Sequence, residues 1–234
     1  MTGTPGSELV FINQYFDAQH VTPAQLDMLL ADGWRHFGTY FYRYNLNIYE
    51  GEIVRVMPLR IRLDDLRFSK SQRRVLRRNQ DLRLEMRPIE ITDEAERLFH
   101  RHKQRFHTGV PNSIYDFLST EPATVPCDGR ELAVFDRDRL VAVSYFDEGE
   151  RSISGIYAMF EPDDAARGLG TFTMLKEIEH AINTGREFYY QGYAYEGESF
   201  YDYKKRFSAV EQFDWLGNWE KFSHRDHRDR RANG

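Results

Sequence analysis

The chain reads as an α+β protein, an α/β sandwich in which a mixed, mostly antiparallel sheet is flanked by helices and preceded by an N-terminal extension. Three observations predict this class. First, three strand-like runs follow one another at Leu132 to Phe135, Leu140 to Phe146 and Ile153 to Phe160. Their connections, Asp136 to Arg139 and Asp147 to Arg151, have hairpin length. Second, a helical run from Thr171 to Asn183, ended by Gly185, leads directly into another strand, Phe188 to Tyr193. Third, 234 residues with an aromatic fraction of 15% can bury a full core of large side chains in one compact unit.

The remaining elements follow in chain order. Thr22-Pro23, with Ala24, Leu26, Met28, Leu29 and Leu30, predicts a short capped helix closed by Gly33. An aromatic stretch from Trp34 to Tyr49 is broken by Gly38, Asn45 and Asn47 and suits packed strands or a loop. Leu59, Ile61 and Leu63 alternate with Arg60 and Arg62, the period of a half-buried strand that shows its arginines to solvent. Ser69 caps a helix from Lys70 to about Gln80. Leu84 and Met86 alternate with Arg83, Glu85 and Arg87 as a strand. Thr92-Asp93-Glu94 then opens a helix that turns Ala95, Leu98, Phe99, His102 and Phe106 inward. Beyond the strand at 188–193, a short helix over Phe200 to Arg206 and a last strand near Phe213 to Leu216 complete the chain. The tail from Ser223, with His224-Arg225-Asp226-His227-Arg228, has no apolar period and is expected to be disordered. The organisation expected is an N-terminal region 1–81 carrying a basic helix, a main domain 82–222 and a tail 223–234.

Composition removes several classes of function. No cationic patch followed by an apolar run opens the chain and no stretch has bilayer-spanning length, so a soluble, cytoplasmic protein without a membrane partner is expected. A single cysteine, Cys127, excludes an internal disulfide framework and any site needing several thiolates. His100, His102 and His107 do not share one helix face, so no metal site is expected there. The formal charge of −5 argues against a general nucleic-acid binder such as a DNA-binding protein. Between Arg55 and Arg87, however, eleven Lys or Arg stand against four acids, Asp64, Asp65, Asp81 and Glu85. A basic island on an acidic chain points to a localised anionic partner.

Strand, helices, three antiparallel strands, glycine-rich loop, long helix, strand, helix and strand is the element order of the GNAT-like acyltransferase fold. Two segments then resemble one family, the aminoacyl-tRNA-protein transferases, which attach arginine or leucine to protein N-termini. The first runs from Phe68-Ser69-Lys70-Ser71-Gln72-Arg73-Arg74-Val75-Leu76 to Arg77-Arg78-Asn79-Gln80-Asp81-Leu82. The second runs from Phe160-Glu161-Pro162 through Leu169-Gly170-Thr171 and Glu177-Ile178-Glu179 to Gly192-Tyr193, Tyr203-Lys204 and Phe207. With a weaker match at Gly33-Trp34-Arg35, the resemblance covers most of residues 33–215. One departure stands out: the family's N-terminal cysteine cluster is missing, with Val56 where its last cysteine would fall, just before Pro58-Leu59-Arg60. Metal- or haem-dependent regulation through that cluster is therefore not expected, and no cofactor is expected beyond aminoacyl-tRNA as co-substrate.

An aminoacyl-tRNA carries its activated ester at the end of a polyanion, so an enzyme using it needs forked cations for phosphate. Lys70, Arg73, Arg74, Arg77 and Arg78 fit that need, because Arg73 stacks over Arg77 and Arg74 over Arg78 at helical spacing. A solvated basic face balanced by the acidic body is the plainer alternative for this helix. Arg167, Gly168, Gly170 and Thr171 stand where acyl-CoA enzymes of this fold bind pyrophosphate at a helix N-terminus. Ala165 occupies the place where the CoA pattern wants Arg or Gln, and glycines that only turn the chain are an equal reading. The resemblance puts Gln191, Tyr193 and Tyr203 in the acyl-transfer cleft, as catalytic candidates within a tyrosine-dense segment. Lys204 and Arg206 are candidates to receive the acidic first residue of an acceptor protein or peptide. The expectation is thus an aminoacyl-tRNA-dependent transferase of the Arg or Leu class acting on protein N-termini. Its rivals are a GNAT acyl-CoA N-acyltransferase and a non-catalytic N-terminus- or tRNA-binding descendant.

Overall fold

The computed structural model describes residues 10–107 and 109–223. The chain opens with β1 (Asn13–Asp17) and α1 (Pro23–Ala31). Thr22 caps α1 reciprocally: its hydroxyl accepts the Gln25 N–H, and the Gln25 side chain accepts the Thr22 N–H at 2.9 Å, with Pro23 at the first helical position. Next come β2 (Arg35–Phe37) and β3 (Tyr40–Tyr44), which join β1 in a small antiparallel sheet of order β1-β3-β2. The aromatic stretch thus resolves into strands, with Gly38 in the turn between them at a φ of +50°.

The large sheet takes strands from both ends of the chain. Its members are β4 (Leu46–Tyr49), β5 (Glu52–Arg62), β6 (Arg83–Pro88), β7 (Gly129–Asp136), β8 (Arg139–Glu148), β9 (Ser152–Phe160), β10 (Phe188–Tyr195), β11 (Val210–Phe213) and β12 (Trp219–Lys221). The order is β12-β11-β5-β10-β9-β8-β7-β6, with β4 pairing with part of β5. Among the described residues every pairing is antiparallel except that of β9 with β10. This is the mixed, mostly antiparallel sheet flanked by helices that the strand pattern predicts.

Two helices cover opposite faces. On one face α4 (Leu169–Asn183) buries Phe172, Leu175 and Ile178 against Leu59, Ile61, Val134, Ala142 and Ile153. On the other, α3 (Asp93–His102) buries Leu98 and Phe99 against Ala133, Val143, Tyr145 and Met159. The small sheet and α1 share this second side, packing Phe41, Leu26 and Leu30 with Tyr190 of β10. Truncating any such leucine to alanine, a loss of three buried carbons, typically costs about 2–5 kcal/mol, so these faces fix the register of the whole sheet. The basic helix α2 (Lys70–Arg78) has little apolar surface of its own. A Ser69–Gln72 capping box starts it, and Val75 and Leu76 pack on the α4 side.

Four sequence expectations change. Arg60 is buried, not solvent-facing: β5 lies between β10 and β11, so the guanidinium sits between the rings of Phe188 (3.9 Å) and Trp219 (4.3 Å) and bonds Glu211 at 2.7 Å. The helix expected to reach Phe106 ends at His102 and continues as one 3₁₀ turn. The 200–206 segment is 3₁₀ rather than α. The last strand splits into β11 and β12 around a turn in which Asp214 accepts the N–H groups of Leu216 and Asn218. The tail beyond Ser223 lies outside the described residues.

Candidate active site

The site forms where β10 parts from β9. The two strands pair in parallel only from Phe188 to Tyr190, opposite Ser152 to Ser154. Beyond that point β9 keeps β8 as its partner and β10 keeps β5, so Gly155 onward and Gln191 onward share no ladder. A register shift between Tyr190 and Gly192 marks the parting, and Gly192 has a φ of +85°, which glycine adopts without strain. The bulge also resets the side-chain alternation. Tyr189 and Ala194 join the core under α4, while Tyr190 and Tyr193 face the small sheet.

Two cations enter this splay from opposite faces. Arg35 of β2 donates to Ser154 Oγ at 2.7 Å and to the Gly155 carbonyl. Lys204, from the 3₁₀ segment, is buried and donates to the Tyr193 carbonyl at 2.9 Å, with its ammonium 4.9 Å from the Tyr201 ring. A Cβ placed on Gly192 would stand 3.4 Å from Lys204 Nζ and 3.6 Å from Arg35 Nη2, so both charges converge on one glycine. Burial, and then the charge of Arg35, pull the Lys204 ammonium down to about 7. Lys205, next in sequence, is spent on Asp202 and the Gly197 carbonyl, each at 2.7 Å, and Arg206 is exposed.

Behind Gly155 lies a buried acid. Glu177 of α4 accepts the Tyr189 hydroxyl at 2.6 Å, and a Cβ on Gly155 would stand 2.9 Å from that hydroxyl and 3.3 Å from Glu177 Oε2. Burial pushes the Glu177 carboxyl up to about 7, with the Tyr189 bond opposing the shift. Tyr203 feels the same acid, and burial first, then Tyr201 and Glu177, raise its hydroxyl to about 12. Gln191 is buried with neither its amide nitrogen nor its oxygen bonded, and the Tyr157 hydroxyl of β9 is likewise unbonded. Each such group costs about 1–3 kcal/mol unless something polar meets it. The Tyr193 hydroxyl, by contrast, donates to the Gly33 carbonyl at 2.7 Å and ties β10 to the turn that leads into β2.

The basic helix and the glycine loop also meet. Arg78 donates to the Ala166 carbonyl, and Asn79 donates to the carbonyls of Val75 and Arg167 at 3.0 Å each. Lys70, Arg73, Arg74, Arg77 and Arg78 are all exposed. Arg167 forms a forked pair with Asp81 at 2.9 and 3.0 Å, which commits its guanidinium to the protein. Gly168 takes a left-handed φ of +67° to start α4, whereas Gly170 admits the Phe160 ring, since a Cβ there would lie 2.8 Å from it. Thr171 is half-buried in the first turn. Arg167, Gly168, Gly170 and Thr171 therefore stand at the helix start as expected, with three of the four, Arg167, Gly168 and Gly170, visibly used by the fold.

One buried cluster has metal-ligand composition among the described residues: His36, Cys127 and Asp147, whose donor atoms lie within 4.8 Å of one another. His36 Nε2 lies 2.7 Å from Asp147 Oδ2 and Nδ1 lies 2.8 Å from the Gly38 carbonyl. Two ligands sharing a tetrahedral zinc stand further apart than 2.7 Å, at about 3.3 Å. The geometry is that of a buried hydrogen-bonded pair fastening β2 to β8. It holds His36 on one face of β2 while Arg35, its neighbour, reaches the splay on the other. Burial, then Asp147, push the Cys127 thiol upward, which keeps it protonated.

Arg35, Glu177 and Tyr189 are the residues of this candidate site that sequence reasoning did not single out. Glu177 carried a signal, an acid on the inward face shared by Phe172, Leu175, Ile178 and Ala181. Gly155 carried another, a lone glycine within a strand, where a close approach is expected. Arg35 carried only its place in the weaker Gly33-Trp34-Arg35 match, which names no partner, because only the fold brings β2 to β9.

Known proteins place this geometry in context. Two family models match: Arginine-tRNA-protein transferase, N terminus, over residues 6–74, and Arginine-tRNA-protein transferase, C terminus, over residues 94–214. A curated relative, the aspartate/glutamate leucyltransferase of Xanthomonas campestris pv. campestris (strain B100), is 34% identical over 172 residues, covering 69% of this chain and 68% of the relative. The enzyme of the same name from Helicobacter hepaticus is 28% identical over 208 residues, covering 86% and 83%. Among solved structures, L-PGS from Bacillus licheniformis is similar with a TM-score of 0.48 at 13% identity, covering 65% of this chain and 57% of that one. FemX is similar with a TM-score of 0.47 at 11% identity, covering 77% and 64%. No helix among the described residues is long and apolar enough to cross a membrane. With both family models matched along its length and a curated relative above 30% identity, the chain belongs to the arginine-tRNA-protein transferase family of aminoacyltransferases.

Proposed function

We propose that this protein moves an aminoacyl group, of the leucine or arginine class, from aminoacyl-tRNA to the N-terminal amine of a protein or peptide beginning with Asp or Glu. The observation that carries the reading is the convergence of Arg35 and Lys204 beside Gly192. Two cations at the parting of two strands suit a carboxylate held next to a reacting amine. The relatives named aspartate/glutamate leucyltransferase support leucine as donor and an acidic acceptor.

The chemistry asks little of the protein. The ester is already activated, and an α-amine with an ordinary pKa of about 7.7–8.0 is substantially neutral near pH 7.5. The amine attacks the ester carbonyl, a peptide bond forms, the tRNA hydroxyl leaves, and the amine's proton must depart. In this reading the unbonded Gln191 amide donates to the oxyanion of the tetrahedral intermediate. Tyr203 relays the proton towards the leaving hydroxyl, and Tyr193 positions β10 through Gly33. Lys70, Arg73, Arg74, Arg77 and Arg78 take the phosphates, and the loop at Arg167, Gly168, Gly170 and Thr171 supports the donor's path. Lys204 receives the acceptor's carboxylate with Arg35, and Arg206 on the adjoining surface adds a longer-range attraction.

The test measures transfer of labelled leucine or arginine from charged tRNA to peptides beginning with Asp, Glu or Ala, beside labelled acetyl-CoA. Label is expected from tRNA onto the Asp and Glu peptides. Replacing Arg73, Arg74, Arg77 and Arg78 with glutamine should weaken tRNA binding and flatten its salt dependence by about 0.7–0.9 log units per lost phosphate contact. Label from acetyl-CoA alone, or no transfer from either donor, overturns the reading.

A further inference from the structure

The small sheet presents an unusual face. In β1, β2 and β3 the residues directly opposite one another share a side: Tyr15 with Tyr42, Arg35 with Tyr42, and Phe37 with Tyr40. A two-residue period therefore gathers Tyr15, Phe37, Tyr40, Tyr42 and Tyr44 on one face together with Arg35. Phe16, His36 and Phe41 occupy the opposite face; Phe41 is core, Phe16 packs against it, and His36 stacks on Phe41 at 4.7 Å. The rings form a continuous series, with Tyr15–Tyr40 at 5.7 Å, Tyr40–Tyr42 at 6.1 Å, Tyr42–Tyr44 at 5.8 Å and Tyr44–Tyr193 at 5.2 Å. Exposure falls along it. Tyr15 is 67% and Tyr40 44% exposed, whereas Tyr42 and Tyr44 are half-buried and Tyr193 belongs to the splay.

At the outer end of this face Tyr15 and Tyr40 have no need of large rings for stability alone, since there the sheet packs Phe16 and Phe41 on its other side. We infer that this face is the docking track for the acceptor polypeptide, receiving the segment that follows its first residue while that residue sits at Arg35 and Lys204. The inference rests on the function proposed above. Three features select a polypeptide over the donor's nucleic acid. The clustered exposed arginines Arg73, Arg74, Arg77 and Arg78 lie on α2, which packs with α4 on the opposite side of the large sheet. On the aromatic face Arg35 is the cation, and it is engaged by Ser154 and Gly155, while Asp17 shares that face through its pairing with Tyr40. A phosphate chain would meet an acid there and few counter-charges. Tyrosines, finally, offer a rigid apolar ring and a hydroxyl at low entropic cost, which suits an acceptor whose sequence varies after its first residue.

The test uses the exposed pair, Tyr15→Ser with Tyr40→Ser, whose folding is verified by thermal melting. Fluorescence anisotropy measures binding of an Asp-initiated peptide of about ten residues, long enough to run the track, of an Asp-initiated dipeptide by competition, and of tRNA. The longer peptide is expected to bind the wild type more tightly than the dipeptide does. In the double variant its affinity should fall by about tenfold, with the dipeptide and tRNA unchanged. Equal affinity of the two peptides for the wild type, or an unchanged long-peptide affinity in the variant, overturns the track and leaves the proposed function standing. Weakened tRNA binding assigns the face to the donor, and a wild-type dimer abolished by the variant assigns it to a second copy; either outcome overturns the inference. Failure of the wild type to bind either acidic peptide would instead strike the acceptor reading itself.

Discussion

Strand β10 changes character halfway along. From Phe188 to Tyr190 it is hydrogen-bonded to β9 and β5; past the bulge at Gln191, from Gly192 to Tyr195, it pairs with β5 alone. In the first half each polar group is spoken for, as when Tyr189 meets Glu177 and Tyr190 accepts from Arg60 at 3.3 Å. In the second half an unbonded amide, two converging cations and a left-handed glycine share a few residues. The contrast shows how a sheet acquires chemistry: withdraw one neighbour from a strand, and carbonyls and side chains once committed to the ladder become available to charged groups from either face.

Substituting Gly192 with valine should break the contrast most severely. A β-branched residue at a φ of +85° costs about 1–3 kcal/mol, and a displacement near 1 Å at the reacting centre costs about 100-fold in rate. Thermal melting and the transfer assay would read the two losses separately. A variant with undiminished transfer would deny Gly192 its place in the site.

Lys204→Arg should sharpen the contrast. The wild-type ammonium titrates at about 7, so affinity for an acidic acceptor should fall by up to about tenfold per pH unit above that point, and the arginine variant should flatten the profile. Stability offers a second readout. The folded pKa lies below the unfolded one, so above pH 7, up to the ordinary lysine value, the unfolded chain binds more protons and stability rises with pH. That rise should vanish in the variant. Melting temperatures across the alkaline range check the sign.

The smallest effect belongs to the committed half. Tyr190→Phe removes one hydroxyl bonded to Arg60, which should lower stability by about 1 kcal/mol, or a few degrees in melting temperature, and leave transfer rates as they were. A large loss of activity would show that the two halves are less separate than their pairing suggests.

Much of this was legible in the sequence. The hairpin spacings around Asp136 and Asp147, the caps at Thr22, Ser69 and Thr92 and the glycine before α4 all act locally, so a short window contains their cause. Lys204 was legible through the motif match, although its partner was expected to be Arg206, one helical face away. Arg60 and Arg35 were illegible for the same reason. An arginine's alternation with apolar residues says which side of a strand it takes, but not whether another strand, a ring or a carbonyl waits there. Arg60 meets Phe188 and Trp219 from more than a hundred residues away, and Arg35 meets Gly155 across a comparable distance.

The position of β5 has one further consequence. The family is described by two models that meet between residues 74 and 94, yet β5, from the first, lies between β10 and β11, which belong to the second. Ancestry may be written in two paragraphs, but the hydrogen bonds run straight through the break. Neither portion can change its partner freely in evolution: a graft of one relative's N-terminal part onto another's C-terminal part must match at every rung where β5 touches β10, or the cleft beside Gly192 loses the wall that holds it open.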